Sequence, residues 1–263
     1  MNKNDELNNS FVLEFNKVNL KIEDKEILKD VSFKVKRGSN TFIMGPSGSG
    51  KTTILKISAG LIFPTNGNIK ILNKDISNTN DLYEIRKKIG FVFQYSALID
   101  YLTVLDNIFL PLKIRDKYDF KKNYKTYLEK AFDILEKLDL KGVEKYYPNS
   151  LSGGMQKRVA FARAIISNPE IVFYDEPTSG LDPIISNSID KIILNINKNF
   201  NITNIIVSHD VNSALNISDY IIFIYKGEIL FKGTIQELKN LLYNLNTSKT
   251  RFHILKDFFY SIA

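Results

Sequence analysis

The stretch GPSGSGKT, residues 45–52, determines the fold class. It fits the pattern G-x-x-x-x-G-K-[ST] and stands between the short apolar run NTFIMG and the helical pattern KTTILKISAGL. Glycines let consecutive backbone N–H groups curl around phosphate oxygens, and the positive end of the following helix strengthens that attraction. The motif therefore predicts a site for the phosphates of a nucleotide, although a glycine-rich turn can match the pattern by accident.

The loop also predicts individual contacts. Lys51 is expected to reach the β- and γ-phosphates, and the Thr52 hydroxyl is expected to bind Mg²⁺. The residues predicted to surround the nucleotide are Gly45, Pro46, Ser47, Gly48, Ser49, Gly50, Lys51, Thr52 and Thr53. Taken alone, this motif indicates binding of a nucleoside triphosphate and no more.

A second motif, IVFYDEP at 171–177, supplies acidic groups. Its first four residues predict a buried strand whose end presents Asp175 and Glu176. An aspartate there is expected to hold Mg²⁺ through water, and a second carboxylate can activate the attacking water. An acidic turn after any core strand is the alternative, and the phosphate motif argues against it.

Two further polar residues follow apolar runs that predict strands. Gln94 comes after GFVF and is expected to touch the metal and the attacking water, while His209 ends NIIVSH and is expected to contact the γ-phosphate. A glutamine at a strand end and a lone histidine are usually structural. The functional interpretation depends on the expectation that the carboxyl ends of these strands converge where α/β sheets bind ligands.

Two consecutive glycines stand before a helical pattern in LSGGM, residues 151–155. Glycine costs a helix roughly 1 kcal/mol relative to alanine, so the pair indicates that something approaches this backbone closely. Ser152 can cap the helix, and the bare N–H groups of Gly153 and Gly154 can face an anion. The buried face of this helix is predicted to contain Met155, Val159, Ala162 and Ile166.

The composition excludes several kinds of site. The 263 residues are 44% hydrophobic and 25% charged, which is ordinary for a globular protein. Without cysteine there is no disulfide, thiolate metal site or cysteine nucleophile, and two histidines are too few for a histidine-rich metal site. The net charge is +7. We interpret the densest basic stretch, 113–130, as a solvated helix face rather than a surface for nucleic acid or acidic lipid.

The order of patterns predicts the organisation of the chain. Alternating residues over 11–38 favour an antiparallel sheet, and strands alternating with helices farther on favour a parallel sheet covered on both faces. The segment from about 96 to 165 is mostly helical in pattern, a hairpin is predicted to turn at Lys226 and Gly227, and the residues after 234 are predicted to be helical. The polar first ten residues lack the apolar core of a signal peptide, and no apolar run is long enough to cross a membrane. The sequence therefore predicts a soluble, cytosolic protein that reaches membranes through a partner.

The chain resembles the ATP-binding cassette (ABC) ATPases. GPSGSGKT, Gln94, LSGGM, YDEPTSGLD and His209 occur in the order and approximate spacing of that family, and the resemblance covers residues 10–233. It implies an α/β P-loop NTPase (RecA-like) core with an antiparallel β subdomain and an inserted α-helical subdomain at about 96–165. The implied domains are the ATPase at 10–234 and a C-terminal helical tail at 235–263.

The resemblance also implies cofactors and partners. ATP and Mg²⁺ would bind at the loop, and the signature residues Ser152, Gly153 and Gly154 would hold the γ-phosphate bound by the opposite subunit. A second copy of the chain is therefore expected. A polytopic membrane permease is expected to dock near the Gln94 loop and the helical subdomain.

A finer resemblance points to one subgroup. The segment RKKIGFVFQYSALIDYLTVLDNIFLPL, the methionine of LSGGM and YDEPTSGLDPI are similar to the ATPases of Mla-type (MCE-associated) phospholipid transporters, as is the tail TRFHILKDFFYSIA. This implies an MCE-type lipid-binding partner and a peripheral position on the cytoplasmic face of the inner membrane.

Other ABC proteins remain as alternatives to this subgroup. Importer and lipoprotein-release ATPases share most of the motifs. A soluble ABC ATPase acting on nucleic acid, ribosomes or iron–sulfur assembly usually has long coiled coils or two cassettes, and neither pattern is present, so no nucleic-acid partner is expected.

One position departs from the family. Many members place an aromatic residue about two dozen positions before the lysine of the phosphate loop, where it stacks on adenine. The aligned residue here is Ile22, which has no ring. Recognition of the base is therefore predicted to be weak or to come from elsewhere in the chain.

Overall fold

The computed structural model describes residues 10–244 and 252–260, which form two β-sheets and surrounding helices. In chain order the elements are β1 (Phe11–Ile22), β2 (Lys25–Lys36), β3 (Asn40–Met44), α1 (Lys51–Ser58), β4 (Asn66–Ile71), β5 (Lys74–Asp75), α2 (Thr79–Lys87), β6 (Ile89–Val92), α3 (Val104–Arg115), α4 (Lys117–Lys122), α5 (Tyr124–Lys137), α6 (Gly153–Ile165), β7 (Ile171–Asp175), α7 (Pro183–Phe200), β8 (Thr203–Val207), α8 (Val211–Ile217), β9 (Tyr220–Tyr225), β10 (Glu228–Gly233), α9 (Ile235–Asn244) and α10 (His253–Tyr260).

The larger sheet forms the centre of the molecule. Its six strands follow the order β10-β9-β3-β8-β7-β6, and every pair is parallel except the β9–β10 hairpin. The strands β3 and β8 are buried along their whole length, as expected for short apolar runs covered by helices on both faces. The four parallel strand pairs place the carboxyl ends of their strands at the same edge of the sheet. The predicted parallel α/β core and the hairpin turn at Lys226 and Gly227 are confirmed.

The smaller sheet is antiparallel, in the order β2-β1-β4-β5. The alternation of β1 and β2 buries one face, where Phe15 and Phe33 stack with ring centroids 4.6 Å apart. The predicted antiparallel segment at 11–38 is thus present. The strands β4 and β5 and the helix α2 fall in a stretch for which the sequence pattern indicated no element.

Four helices, α3 to α6, lie between β6 and β7, in the segment for which helices were predicted. Asn107 in α3 is fully buried, and its side-chain amide donates to the carbonyls of Ile99, Leu102 and Thr103 while its carbonyl accepts from Ile99 N–H. These bonds fix the connection that follows Gln94. The strand itself ends at Val92, two residues before that glutamine.

The helix α6 is buried on more sides than its pattern predicted. Val159, Ala162 and Ile166 are fully buried, and Met155 is partly buried, as expected. The helix also buries most of its other residues, namely Lys157, Ala160, Phe161, Arg163, Ala164 and Ile165. The reason is that α6 packs against both α3 and the edge strand β6, so no broad face remains for solvent.

The C-terminal part contains two helices among the described residues. The helix α10 buries Leu255 and Phe259 in the main hydrophobic cluster. The predicted helical tail at 235–263 therefore has helices at α9 and α10, and residues 245–251 and 261–263 lie outside the described residues. Within 10–244 and 252–260, no helix combines the length and hydropathy needed to cross a bilayer.

One buried acid leads to a prediction about stability. Asp190 in α7 is 4% exposed, and its Oδ1 atom has no hydrogen-bond partner among the described residues. Burial, with a smaller contribution from the charge of Asp210, raises the pKa of Asp190 to about 6. Because the pKa is raised in the folded state, ionisation of Asp190 opposes folding increasingly as the pH rises from the unfolded-state pKa of 3.8 to about 6, and the cost is constant above that range.

We expect Asp190→Asn to raise the free energy of unfolding by about 1–3 kcal/mol at pH 8, and by less at pH 5, where the native aspartate is mostly protonated. Urea denaturation at the two pH values measures this. The exposed substitution Asp24→Asn is the control. An equal gain at both pH values would contradict the role assigned to burial of the charge.

Candidate nucleotide site

The phosphate loop is pressed against its surroundings at two glycines. Gly45 has φ 144°, and a Cβ placed there would lie 2.0 Å from the Ile224 carbonyl oxygen of β9. Gly50 has φ 108°, and its Cβ would lie 2.8 Å from Leu28 of β2. Both positions combine a left-handed backbone with a close contact, so a side chain at either would displace the loop.

Lys51 is the first residue of α1 and is 7% exposed. Its ammonium donates to the carbonyls of Gly45 at 2.7 Å and Pro46 at 2.9 Å. Burial lowers the pKa of Lys51, and the nearby carboxylates of Glu176 and Asp175 oppose that shift. The loop thus uses its own carbonyls to hold the ammonium beside the cleft.

The loop has donors that fit a chain of phosphates. The Ser49 hydroxyl is buried and has no hydrogen-bond partner among the described residues. The helix α1 begins at Lys51 with no side chain capping its N-terminus, so its first N–H groups are available to an anion. A Cβ on Gly48 would meet no atom within 4 Å, which leaves room on this side of the loop.

Oxygen atoms suited to a magnesium ion lie next to the loop. Asp175 ends β7, and its Oδ1 accepts a hydrogen bond from Thr52 Oγ1 at 3.3 Å. Burial raises the pKa of Asp175, and the Thr52 hydrogen bond partly offsets this. Among the described residues, no group of three or more histidine, cysteine or acidic side chains is arranged so that it could hold a metal ion by itself. A few oxygens of this kind fit Mg²⁺, which keeps water and phosphate oxygens among its ligands.

Glu176 and His209 are in direct contact. Glu176 has φ 50°, an uncommon conformation for a residue with a side chain, and its N–H donates to the Val207 carbonyl at 2.9 Å. Its Oε2 lies 2.8 Å from His209 Nδ1 and 3.4 Å from the His209 N–H. A carboxylate only accepts hydrogen bonds, so the Nδ1 atom carries the proton in this contact.

One cleft of about 660 Å³ brings most of the predicted residues together. Its lining includes Pro46, Ser47, Gly48, Gly50, Lys51, Thr52, Thr53, Gln94, Glu176 and His209. Gly45, Ser49 and Asp175 are outside this lining but are hydrogen-bonded to Lys51, Pro46 and Thr52, respectively, which belong to it. The volume is within the range of small-molecule sites.

The signature residues lie apart from this cleft. Ser152 Oγ accepts from Met155 N–H at 3.3 Å and caps α6, as predicted from sequence. The first backbone hydrogen bond of the helix is made by Gln156, so the N–H groups of Gly153 and Gly154 precede it. Ser152 and Gly153 are exposed, and neither glycine lines the cleft.

Two buried cations of α6 were not identified from the sequence. Lys157 donates to the carbonyls of Pro177 at 2.7 Å and Ser179 at 3.0 Å, and burial lowers its pKa. Arg163 donates to the carbonyls of Ser96 and Ala97. The helix thereby holds the two segments that follow Glu176 and Gln94. The sequence did contain a signal for these two residues, because each is a charged residue within a helix whose face was predicted to be buried.

The position aligned with the family's aromatic residue also lies outside the cleft. Ile22 is 51% exposed and is not part of its lining. The lining there comes instead from Lys25, Ile27 and Phe258, none of which the motifs indicated.

A larger cavity, of about 980 Å³, lies elsewhere. Its walls include Phe11, Lys34, Lys70 and Lys232, and it contains none of the motif residues. Cavity size alone would therefore select a place that none of the sequence motifs line.

Comparison with known proteins identifies the family. The family model described as ABC transporter matches residues 28–179, which is more than half of the chain. The chain belongs to the ABC transporter family. The predicted membership of the ABC ATPases and the predicted P-loop fold class are therefore confirmed, and this chain is an ABC ATPase.

Three relatives illustrate how this ABC ATPase compares. The intermembrane phospholipid transport system ATP-binding protein MlaF of Haemophilus influenzae is 37% identical over 232 residues, covering 88% of this chain and 86% of MlaF. The sulfate/thiosulfate import ATP-binding protein CysA 2 of Rhizobium meliloti is 38% identical over 211 residues, covering 80% of this chain and 56% of CysA 2. A dimeric post-hydrolysis structure of the ATP-binding cassette MJ0796 with ADP and Pi has a TM-score of 0.73 at 35% identity, covering 85% of this chain and 98% of MJ0796.

The buried ammonium gives a direct test of the site. We expect Lys51→Ala to weaken ATP binding on the order of 10- to 100-fold, because the substitution removes a charged donor from the phosphate cradle. Equilibrium titration with a labelled ATP analogue measures this, with the exposed Lys121→Ala as the matched control. Unchanged affinity in the Lys51 variant would place the nucleotide elsewhere.

Proposed function

We propose that this ABC ATPase binds and hydrolyses ATP at the Lys51 cleft as a head-to-tail dimer that drives a membrane permease. In this proposal the permease moves phospholipid or another hydrophobic substrate, as the resemblance to the phospholipid transport ATPases implies. The observation that carries the site is the convergence of Lys51, Gln94, Glu176 and His209 on one cleft. In this proposal residues 10–234 form the ATPase, with a helical subdomain at about 96–165 and a tail at 235–263.

The chain's own groups divide the work of phosphoryl transfer. The loop amides and Lys51 bind and orient the phosphates, and Thr52, Gln94 and Asp175 would hold Mg²⁺. When bound, this ion would neutralise charge on the phosphate oxygens. Glu176 is the general base, because its carboxylate can accept a proton from the attacking water.

The contact between Glu176 and His209 supports that assignment. A hydrogen bond of 2.8 Å from His209 Nδ1 orients the Glu176 carboxylate. The hydrogen bond from the Glu176 N–H to the Val207 carbonyl holds the main chain from which this side chain extends. With the proton on Nδ1, neutral His209 has an acceptor at Nε2, and a protonated ring would donate from both nitrogens. A hydrogen bond from His209 Nε2 to the γ-phosphate would therefore require a proton on that nitrogen.

The dimer is supported by the place of the signature. The cleft contains no signature residue, while the free amides at the start of α6 are exposed and suited to an anion. The solved cassette MJ0796 is dimeric. In a head-to-tail pair, Ser152, Gly153 and Gly154 of one copy would complete the site of the other.

The extent of the alignment supports the phospholipid subgroup over other importers. Sequence identity does not separate them, at 37% for MlaF and 38% for CysA 2. The alignment with MlaF covers 88% of this chain, and the alignment with CysA 2 covers 80%. The proposed partners are a second copy, a polytopic permease and an MCE-type lipid-binding protein, at the cytoplasmic face of the inner membrane.

Affinity purification from membranes tests this assembly. Recovery of the chain with a polytopic membrane protein and an MCE-domain protein would support it. Recovery with a permease and a substrate-binding protein of another class would favour an importer, and recovery with ribosomes or DNA would favour a soluble ABC ATPase.

Removing the proposed general base should separate binding from hydrolysis. We expect Glu176→Gln to keep ATP binding and to slow phosphate release by roughly 10²- to 10⁴-fold, since the amide cannot accept the proton. Light scattering with ATP should then show an accumulated dimer. The exposed Glu129→Gln is the control, and near-normal turnover in the Glu176 variant would remove this residue from the role.

A mixed dimer tests whether the signature acts in trans. One chain carries both Lys51→Ala and Ser152→Arg, and it is paired with a wild-type chain through distinct affinity tags. If the signature acts in trans, each composite site receives one lesion and ATPase activity collapses. If it acts in cis, the wild-type chain keeps an intact site and about half of the activity remains, provided that the sites are independent. Retention of that half would refute the composite site.

A further inference from the structure

The nucleotide cleft contains one aromatic ring besides the imidazole of His209. Among the described residues that line it, Phe258 of α10 is the only one with a phenyl or phenol side chain. The other lining residues outside the phosphate loop and the catalytic group are Lys25 and Ile27 of β2. Ile22 offers no ring and does not line the cleft. A flat apolar surface for a base therefore has one candidate in this part of the chain.

The helix α10 holds this ring in a defined place. Leu255 and Phe259 of the same helix are 0% and 4% exposed, so the helix is fixed by its buried face. Phe258 packs against Phe223 of β9 with centroids 5.0 Å apart and planes at 71°, and against Phe259 at 5.6 Å. These edge-to-face contacts with Phe223 and Phe259 set the orientation of the Phe258 ring.

The contact with Phe223 also explains why the ring is close to the phosphate loop. Phe223 pairs with Met44 in the parallel β3–β9 ladder, and Met44 directly precedes Gly45. The next residue of β9, Ile224, presents the carbonyl that lies against Gly45. The ring therefore stands beside the first residues of the loop, where it lines the cleft together with Pro46 and Ser47.

We propose that Phe258 is the surface on which the base of the bound nucleotide stacks. This inference rests on the proposed nucleotide position at Lys51. Base–aromatic stacking needs only a π-face, which a phenyl ring provides. A phenyl ring has no hydrogen-bonding group, so the contact distinguishes a purine from a pyrimidine by stacking area and does not distinguish adenine from guanine.

Equilibrium binding to the full chain tests the proposal, with ATP, UTP and inorganic tripolyphosphate as ligands. We expect Phe258→Ala to weaken ATP binding about 5- to 100-fold, to reduce the preference for ATP over UTP and to leave tripolyphosphate binding unchanged. Phe258→Tyr keeps the ring and should retain ATP affinity. Tyr260→Ala removes an exposed aromatic side chain from the same helix and should change nothing.

A second variant separates stacking from helix packing. Phe258→Leu keeps an apolar side chain against Phe223 and removes the ring, so ATP affinity should still fall. Full ATP affinity in this variant would overturn the proposal, as would an equal loss of ATP and tripolyphosphate in Phe258→Ala. Lys51→Ala separates failure of the stacking inference from failure of the proposed nucleotide position. If Lys51→Ala abolishes binding of ATP and tripolyphosphate while Phe258→Ala leaves ATP binding unchanged, only the stacking inference fails. If neither variant affects ATP binding, the proposed nucleotide position fails.

Discussion

The close contact between the phosphate loop and strand β9 is the constraint on which the rest of the site depends. Gly45 lies so near the Ile224 carbonyl that no side chain fits between them. Lys51 then bonds to the carbonyls of Gly45 and Pro46, which closes the loop on itself. The strand β3 leads into this loop, and the sheet order places β8 next to β3 and β7 next to β8, so the carboxyl ends of both strands lie near the loop. Asp175, at the end of β7, thus reaches the start of α1.

Much of this site could be predicted because its chemistry is local in sequence. Phosphate binding needs glycines, a lysine and a hydroxyl at fixed spacing, and these stand together in residues 45–52. The position of Glu176 and His209 followed from one additional rule, that parallel strands end at the same edge of a sheet. The sequence could not predict that these two side chains would be in contact, because the 2.8 Å bond depends on the left-handed backbone of Glu176.

The features that the sequence did not predict all depend on distant contacts. Phe258 is more than two hundred residues from Lys51 and lies near it only because α10 packs on β9. The extra burial of α6 arises from two neighbours on different sides of the helix. The strands β4 and β5 are short, polar and largely exposed on one face, so neither periodicity nor apolar content marked them. Sequence patterns report which residues avoid water, and they do not report which neighbour covers them.

The position of α6 connects it with both nucleotide sites of the proposed dimer. Lys157 and Arg163 attach it to the segments behind this subunit's own Glu176 and Gln94. Its exposed start at Ser152 would meet the nucleotide of the other subunit. A rigid helix of 13 residues, about 20 Å long, would transmit a displacement from one end to the other. In the proposed dimer, the helix would therefore connect the surroundings of one nucleotide with the contact to the other.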